Sequence, residues 1–181
     1  KMGMSDVDAE QSADVLLYAD IRGIDSHGVS NMLRQYVADF GAGTINPRPD
    51  WKIVREAPAV ATIDGDRGHG LVLGPIAMNI AIERAKTYGI GAVTVGNSRH
   101  SGAAAYHAAM AIEHGMVGLA MTTGSLNMAP TFAAQRLVGL NPIACAVPTL
   151  EMPPFVFDAA MSAVASNKIR LAKRLGAKTL P

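Results

Sequence analysis

The chain has 181 residues, of which 49% are hydrophobic and 17% are charged, and its formal net charge is +1. A near-neutral charge without a dense basic cluster gives binding of nucleic acid or of a membrane surface little support. The composition is rather apolar for a monomer of this length, which indicates surface buried against a partner chain or a further domain.

Signals for secretion and membrane insertion are missing from the pattern. We see neither an apolar signal segment nor an 18-residue apolar run, and we expect no signal peptide and no membrane span. The single cysteine, Cys145, lies in the apolar run 143–147. A lone cysteine there argues against a disulfide scaffold and favours a reducing cytoplasm.

The first third of the chain predicts two helices and a pair of strands. Ser5, with Asp8 three residues on, resembles a capping box, and Ser30 can cap a second helix. In chain order we predict a helix at about 5–19, a turn at 22–29, a helix at about 30–40, and strands at 51–56 and 60–64. Pro58 separates the two strands, which form a hairpin or a meander.

From residue 74 onward, predicted helices alternate with predicted strands. We predict helices at about 74–88, 103–114 and 162–175, and strands at 90–95, 116–122, 144–147 and 155–157. Pro75 falls in the first turn of its helix, and Gly89 follows that helix. This alternation is typical of an α/β layer arrangement. It divides the chain into a helical and hairpin region, 1–70, and an α/β region, 71–181.

A serine and a histidine, Ser26 and His27, lie side by side on the predicted turn. Imidazole gives or takes a proton near neutral pH, so this pair is a candidate for proton transfer. The alternative is a turn histidine with a purely structural role. A Ser/His hydrolase is a weaker interpretation, because adjacent residues do not easily form a nucleophile–base hydrogen bond and no G-x-S-x-G elbow is present.

The standard nucleotide and metal patterns are not found. The glycine pairs at 68–70 and 89–91 do not continue as G-x-G-x-x-G, and no Walker A sequence occurs. His100, His107 and His114 are seven residues apart, which on a helix separates neighbours by roughly 10 Å, too far to share one metal ion. We therefore predict no metal site, and we interpret His107 and His114 as packing or helix-end residues.

Two small-residue segments are candidate ligand sites. His100 lies where a strand gives way to a helix, and the small residues after it let a ligand approach the backbone. The free N–H groups of that helix start suit an anion such as phosphate; a plain capping turn is the alternative. The segment 158–160 at a strand end could hold a ribose or could cap the last helix.

Four segments together resemble one known family. They are DIRGIDSHGV at 20–29, GNSRHSGAAAY at 96–106, NPIA at 141–144 and FDAAMS at 157–162. In this order and spacing they resemble the type 2 malate/L-lactate dehydrogenases, a family that also includes sulfolactate, ureidoglycolate and diketogulonate dehydrogenases and cyclic-imine carboxylate reductases. The resemblance covers essentially all 181 residues.

The resemblance implies an NAD(P)-dependent oxidoreductase with a non-Rossmann α/β cofactor fold. Such an enzyme exchanges a hydride between NAD or NADP and a small 2-hydroxy acid, 2-oxo acid or cyclic imine, and we expect a cytoplasmic homodimer. The region 71–181 would then bind the cofactor. Because members of the family are about twice this long, we expect an incomplete chain that lacks their C-terminal half.

The resemblance also assigns roles to residues. His27 would be the proton donor or acceptor at the substrate, and Ser26 its relay partner. The residues assigned to the dinucleotide are His100, Ser101, Gly102, Ala103, Ala104, Asp158, Ala159 and Ala160, and those assigned to the substrate are Asn31, Arg34 and Asn141.

This sequence departs from the family pattern in three ways. Asn31 stands where family members carry an arginine for the substrate carboxylate, and Arg34 is a candidate substitute. Leu140 and Met161 replace threonines of the pattern. The third departure is the short length. Together these departures favour an alternative hypothesis, a truncated non-catalytic homologue that binds a nucleotide or a partner chain.

Overall fold

The structure is a computed structural model, and it describes residues 2–179. Its helices are α1 (Asp6–Ile21), α2 (Arg34–Gly41), α3 (Gly70–Tyr88), α4 (Ala104–Ala109) and α5 (Ser166–Arg174). Its strands are β1 (Lys52–Ala57), β2 (Val60–Asp64), β3 (Ala92–Gly96), β4 (Gly118–Met121), β5 (Ile143–Val147) and β6 (Phe155–Ala159). A π-helical turn, Val29–Leu33, runs directly into α2, and a 3-10 turn, Ile112–His114, follows α4.

The strands form two sheets of three strands each within the described range. In the first sheet β1 and β2 pair antiparallel as the predicted hairpin, and β3 pairs parallel with β2. A parallel neighbour requires a crossover, which α3 supplies. This sheet therefore draws its strands from both sides of residue 70. The second sheet, β4–β5–β6, is antiparallel, and the chain as a whole has the predicted α/β architecture.

Helix α4 packs on one face of the second sheet through very small side chains. The shared cluster consists of Ala104, Ala105, Ala108, Ala144 and Ala146. The backbones approach so closely that a Cβ added to Gly118 would lie 1.9 Å from the Ala108 carbonyl oxygen. The other side of this sheet, which we call the apolar face, consists of Leu119, Met121, Ile143, Cys145, Val147, Phe155 and Phe157. Within the described residues it is largely uncovered, and Met121 is 68% exposed.

The main hydrophobic cluster lies behind the Ser26–His27 turn. It joins α1, the π-helical turn, α2 and the start of α3, and consists of Val15, Leu16, Met32, Tyr36, Ile45 and Leu71. His69, directly before α3, is buried beside it at 3% exposure. The His69 ring makes edge contacts with Tyr36 and Phe40, and its Nδ1 lies 3.4 Å from Ser12 Oγ.

Two helix starts differ from the sequence predictions, one because of a tertiary contact and one because of a local turn. Helix α3 begins at Gly70 rather than at 74, so Pro75 lies inside the helix and not in its first turn. Gly70 packs so tightly that a Cβ there would be 2.4 Å from the Arg99 carbonyl oxygen. Helix α5 begins at Ser166 rather than at 162, because Ser162 Oγ donates to the Val164 carbonyl in a local turn.

The helix predicted at 103–114 is interrupted. The α-helical part ends at Ala109, and the 3-10 turn Ile112–His114 follows it. The chain then leaves at Gly115, whose φ of 68° is the left-handed conformation that glycine adopts readily. This break lets β4 begin at Gly118, directly beneath α4.

Of the two predicted helix caps, the one at Ser5 is confirmed and the one at Ser30 is wrong. Ser5 caps α1, because its hydroxyl accepts the Asp8 N–H. Ser30 does not cap the second helix; Gly28 is the residue at that position, and the Val29 N–H is bound by the Asp20 carboxylate at 3.0 Å. A carboxylate from α1 thus replaces the expected hydroxyl and joins the two helices across the turn.

Gly28 has room for no side chain, and this generates a first prediction. A Cβ at this position would lie 1.6 Å from Asp20 Oδ1. Gly28→Ala must therefore displace the carboxylate that holds Val29, and we expect a loss of about 2 kcal/mol in the free energy of unfolding. Urea denaturation measures it. Gly41→Ala is the matched control, since nothing lies within 4 Å of a Cβ there; equal stability of the two variants would contradict the tight contact.

His69 generates a second prediction, on the pH dependence of stability. Burial lowers its pKa from 6.5 to about 4, so the folded state binds a proton less readily than the unfolded state. The stability is then complete above pH 6.5 and falls as the pH drops towards 4, by about 3 kcal/mol for this group. Denaturant midpoints across this range should slope less in His69→Leu than in the parent chain. An unchanged slope would show that His69 does not carry the effect.

Candidate functional site

The Ser26–His27 turn is held by backbone hydrogen bonds after the end of α1. The Ile24 N–H donates to the Ala19 carbonyl and the His27 N–H to the Ile24 carbonyl, each at 2.8 Å. Ser26 is buried, and His27 is half-buried. Ser26 Oγ lies 2.9 Å from His27 Nδ1, so the two side chains that are adjacent in sequence do form a hydrogen bond. Among residues 2–179, the other ring nitrogen of His27, Nε2, has no hydrogen-bond partner.

The His27 ring stacks on the ring of His100. Their centroids are 5.5 Å apart and the rings are within 16° of parallel. Burial lowers the pKa of His27, and the nearby Asp158 carboxylate opposes this change. His27 is therefore mostly neutral at pH 7. The sequence patterns did not predict this pairing, because 73 positions separate the two histidines and no local spacing reports the contact.

His100 is joined to α2 and to its own loop. Its Nδ1 lies 2.7 Å from the Tyr36 hydroxyl oxygen and accepts the Gly102 N–H at 3.2 Å. Desolvation lowers the pKa of His100, and the neighbouring His27 and His69 lower it further. The residue still exposes part of its surface to water, so a ligand can reach it from the solvent side.

The loop after His100 is packed from both sides. Gly102 has a φ of 74°, and a Cβ there would lie 2.9 Å from Val15. His107 Nε2 lies 2.8 Å from the Ser101 carbonyl oxygen and donates to it; His107 is buried, as the packing interpretation predicted. Of the other residues assigned to the cofactor in this segment, Ala103 and Ala104 are buried, so they shape the loop from beneath.

Asp158 lies within β6 and does not cap the last helix. Its carboxylate accepts the Ala105 N–H at 2.8 Å. The start of α4, which spans only six residues, is therefore already bound by an acid. This geometry does not support the anion site suggested by the small residues. Asp158 is exposed beyond that contact, and Ala159 and Ala160 are half-buried.

The three residues assigned to the substrate occupy different places. Asn31 lies in the π-helical turn and its amide donates to the Ser26 carbonyl at 2.9 Å, so it belongs to the Ser–His turn. Such turns are often found at functional sites. Arg34 is exposed at the start of α2. Asn141, before β5, accepts the Gly124 N–H at 3.2 Å.

Helix α5 lies beside the Ser–His turn and contacts the π-helical turn that follows it, an arrangement that the sequence patterns did not predict. Arg174 donates to the Ser30 carbonyl at 2.8 Å, and the Asn167 amide contacts Met32 Sδ at 3.2 Å. An open cavity of about 420 Å³ lies between them, lined by Asp25, Ser26, Lys168 and other residues of the turn and of α5. A larger cavity, between the hairpin and α3, is remote from both histidines.

Other classes of site find no support in the part of the chain that the structure describes. Between residues 2 and 179, no three or more His, Cys, Asp or Glu side chains cluster as a metal site would require. In the same range no helix is long and apolar enough to cross a membrane. Cys145 is a free thiol, half-buried on β5.

Comparison with known proteins gives matches along the whole chain. The family model described as malate/L-lactate dehydrogenase matches residues 1–181. Malate dehydrogenase of Pyrococcus abyssi is 47% identical over 176 residues, which is 97% of this chain and 48% of that protein. L-sulfolactate dehydrogenase of Methanocaldococcus jannaschii is 41% identical over 174 residues, which is 96% of this chain and 50% of that protein.

A solved structure shows the same fold. The structure of malate dehydrogenase from Pyrococcus horikoshii OT3 superposes with a TM-score of 0.90 at 44% sequence identity, covering 93% of this chain and 48% of that one. The chain spans about half the length of the relatives it matches. Because the family model covers every residue and the folds superpose, the chain belongs to the malate/L-lactate dehydrogenase family.

Proposed function

We propose that the chain supplies the proton-transfer site of an NAD(P)-dependent dehydrogenase acting on a small 2-hydroxy acid or 2-oxo acid, or on a cyclic imine. The observation that carries the proposal is the 2.9 Å contact between Ser26 Oγ and His27 Nδ1, on a turn whose histidine stacks against His100. The names of the relatives, malate dehydrogenase and L-sulfolactate dehydrogenase, support a 2-hydroxy acid as the substrate class.

Oxidation of a 2-hydroxy acid removes a hydride from C2 and a proton from the C2 hydroxyl. His27 takes that proton at Nε2, and its lowered pKa keeps the ring neutral and able to do so near pH 7. A neutral ring that takes a proton at Nε2 already carries its own proton on Nδ1, so the Nδ1–H donates to Ser26 Oγ. This bond is the same before and after the proton arrives, and Ser26 therefore keeps the ring oriented throughout. In the reverse direction His27 returns the proton to the 2-oxo acid or imine.

Of the two segments assigned to the cofactor, the surface beside His27 suits a nicotinamide, whereas the start of α4 does not suit a pyrophosphate. When bound, the nicotinamide of NAD or NADP accepts the hydride. The exposed His100 ring and the accessible strip of Asp158, Ala159 and Ala160 offer surfaces that could hold it beside His27. The pyrophosphate finds no support at the start of α4, because the Asp158 carboxylate binds Ala105. Residues 101–104 act in this proposal by shaping the loop.

The substrate carboxylate is assigned to α2 and to the turn. Asn31 donates one amide N–H to the Ser26 carbonyl and carries no charge. Arg34, exposed at the start of α2, carries the positive charge that pairs with a carboxylate and is the better candidate. Asn141 accepts the Gly124 N–H, and in this proposal it holds the loop before β5 and does not bind the carboxylate itself.

Turnover by the full-length protein that contains this chain tests the proposed function. The assay follows nicotinamide absorbance with NAD or NADP and a panel of 2-hydroxy acids. Because His27 moves the proton, we expect His27→Ala to lower the rate by about 10²- to 10⁴-fold. His114→Ala is the matched control, since His114 is an exposed histidine at the end of the 3-10 turn, and its rate should equal that of the parent.

Turnover by His27→Ala at the parental rate would contradict the assigned role. Cofactor binding without any turnover by the parent chain would favour the second candidate function.

That second candidate is a non-catalytic homologue that binds a nucleotide or a partner chain. The observation that favours it is the apolar face, where Leu119, Phe155 and Phe157 are each about half exposed within the described residues. Exposed apolar surface of this kind is typical of an interaction site. The same face supports the proposed homodimer, so the turnover assay and not the surface separates the two candidates.

A further inference from the structure

His100 is the group near His27 whose protonation state the geometry restricts most. Two groups point at the same ring nitrogen, Nδ1: the Gly102 backbone N–H at 3.2 Å and the Tyr36 hydroxyl at 2.7 Å. A backbone N–H can only donate. Nδ1 must therefore be an acceptor, because a proton there would face the amide hydrogen directly.

The loop conformation makes this contact hard to avoid. Gly102 has a φ of 74°, and a side chain at this position would meet Val15 only 2.9 Å from its Cβ. The preceding carbonyl, that of Ser101, accepts from His107 Nε2 at 2.8 Å. The amide of Gly102 is thus oriented by contacts on both sides of it and does not turn freely away from His100.

The surroundings oppose a second charge. The titratable groups that face His100 are His27 on the Ser–His turn, Tyr36 on α2 and His69 before α3. Asp158 on β6 acts on the His27 side of the stack. Two stacked imidazoles 5.5 Å apart repel when both are charged, so one ring of the pair must stay neutral while the other takes a proton.

We propose that Tyr36 is a positioning residue whose hydroxyl, together with the Gly102 amide, holds His100 as the neutral tautomer protonated at Nε2. His100 then presents a constant hydrogen-bond donor beside His27, and His27 alone of the stacked pair takes up a proton. The tautomer itself follows from the hydrogen bonds. Its consequence for catalysis rests on the proposed function.

In this arrangement the two histidines have different tasks. His27 exchanges a proton with the substrate at Nε2, while its Nδ1–H donates to Ser26 Oγ. His100 donates an N–H to an electron-rich atom, such as the substrate C2 oxygen, without giving the proton away. Tyr36 is only 2% exposed, and because its hydroxyl contacts His100, it acts through that ring.

Nitrogen NMR tests the tautomer without any need for activity. Long-range ¹H–¹⁵N spectra of the ¹⁵N-labelled 181-residue chain distinguish protonated from unprotonated ring nitrogens. We expect the His100 proton on Nε2 in the parent chain. Tyr36→Phe removes one of the two donors to Nδ1, and the ratio of the two neutral tautomers at His100 should shift towards Nδ1–H by about fivefold.

Tyr106→Phe is the matched control, because the Tyr106 hydroxyl accepts from Gln11 and makes no contact with His100. It should leave the His100 tautomer ratio unchanged. His107 reports folding inside the same spectra, since its Nε2–H bond to Ser101 should persist in both variants. A parent His100 protonated at Nδ1, or a tautomer ratio that Tyr36→Phe does not change, would overturn the proposal.

A failed turnover assay with the expected tautomer would instead refute the proposed function and leave the role of Tyr36 in orienting His100 intact. If both hold, Tyr36→Phe should lower the turnover number more than it changes the KM, because the ring that it orients acts on the reacting atoms.

Discussion

The close contact between Gly28 and the Asp20 carboxylate decides where the candidate site lies. Asp20 belongs to the last turn of α1, and its carboxylate binds the Val29 N–H at the start of the next helical segment. A residue with a side chain at 28 could not enter this space. The end of the turn is thereby held against α1, and His27 stacks on the ring of His100.

Three histidines whose neutral form is favoured lie close to that turn. His27, His69 and His100 all have lowered pKa values, and desolvation is the largest cause for each. Ring contacts connect them through Tyr36, which packs on His69 and reaches His100 with its hydroxyl. A cluster of neutral rings fits the proposed oxidation of an alcohol, in which His27 accepts one proton.

Local signals in the sequence predicted the parts of the fold that local physics determines. The Ser5 cap, the hairpin across Pro58 and the helix end at Gly89 are all short-range features, and the structure has each of them. Four motif segments were enough to predict the family to which the chain belongs. The start of α3 at Gly70 was not predictable in this way, because it depends on close packing against Arg99, 29 residues away.

In the candidate site, too, the short-range contact was predictable from the sequence and the long-range contacts were not. The hydrogen bond between Ser26 and His27 joins neighbours in sequence, and the pair was a candidate from its residue types alone. The stacking of His27 on His100 and the contact of Arg174 with Ser30 join residues 73 and 144 positions apart. Neither leaves a spacing pattern. The substrate and cofactor roles of Asn31, Arg34, Asn141 and the segment 158–160 stay proposals.

Transfer of deuterium from the substrate tests the central claim most directly. A 2-hydroxy acid carrying deuterium at C2 is incubated with the full-length protein that contains this chain and with oxidised NAD or NADP, and the reduced cofactor is examined by mass spectrometry. We predict one deuterium in the reduced nicotinamide, since the hydride leaves C2 while His27 removes the hydroxyl proton. Reduced cofactor without deuterium, or no reduced cofactor at all, would contradict a hydride-transfer site built on Ser26 and His27.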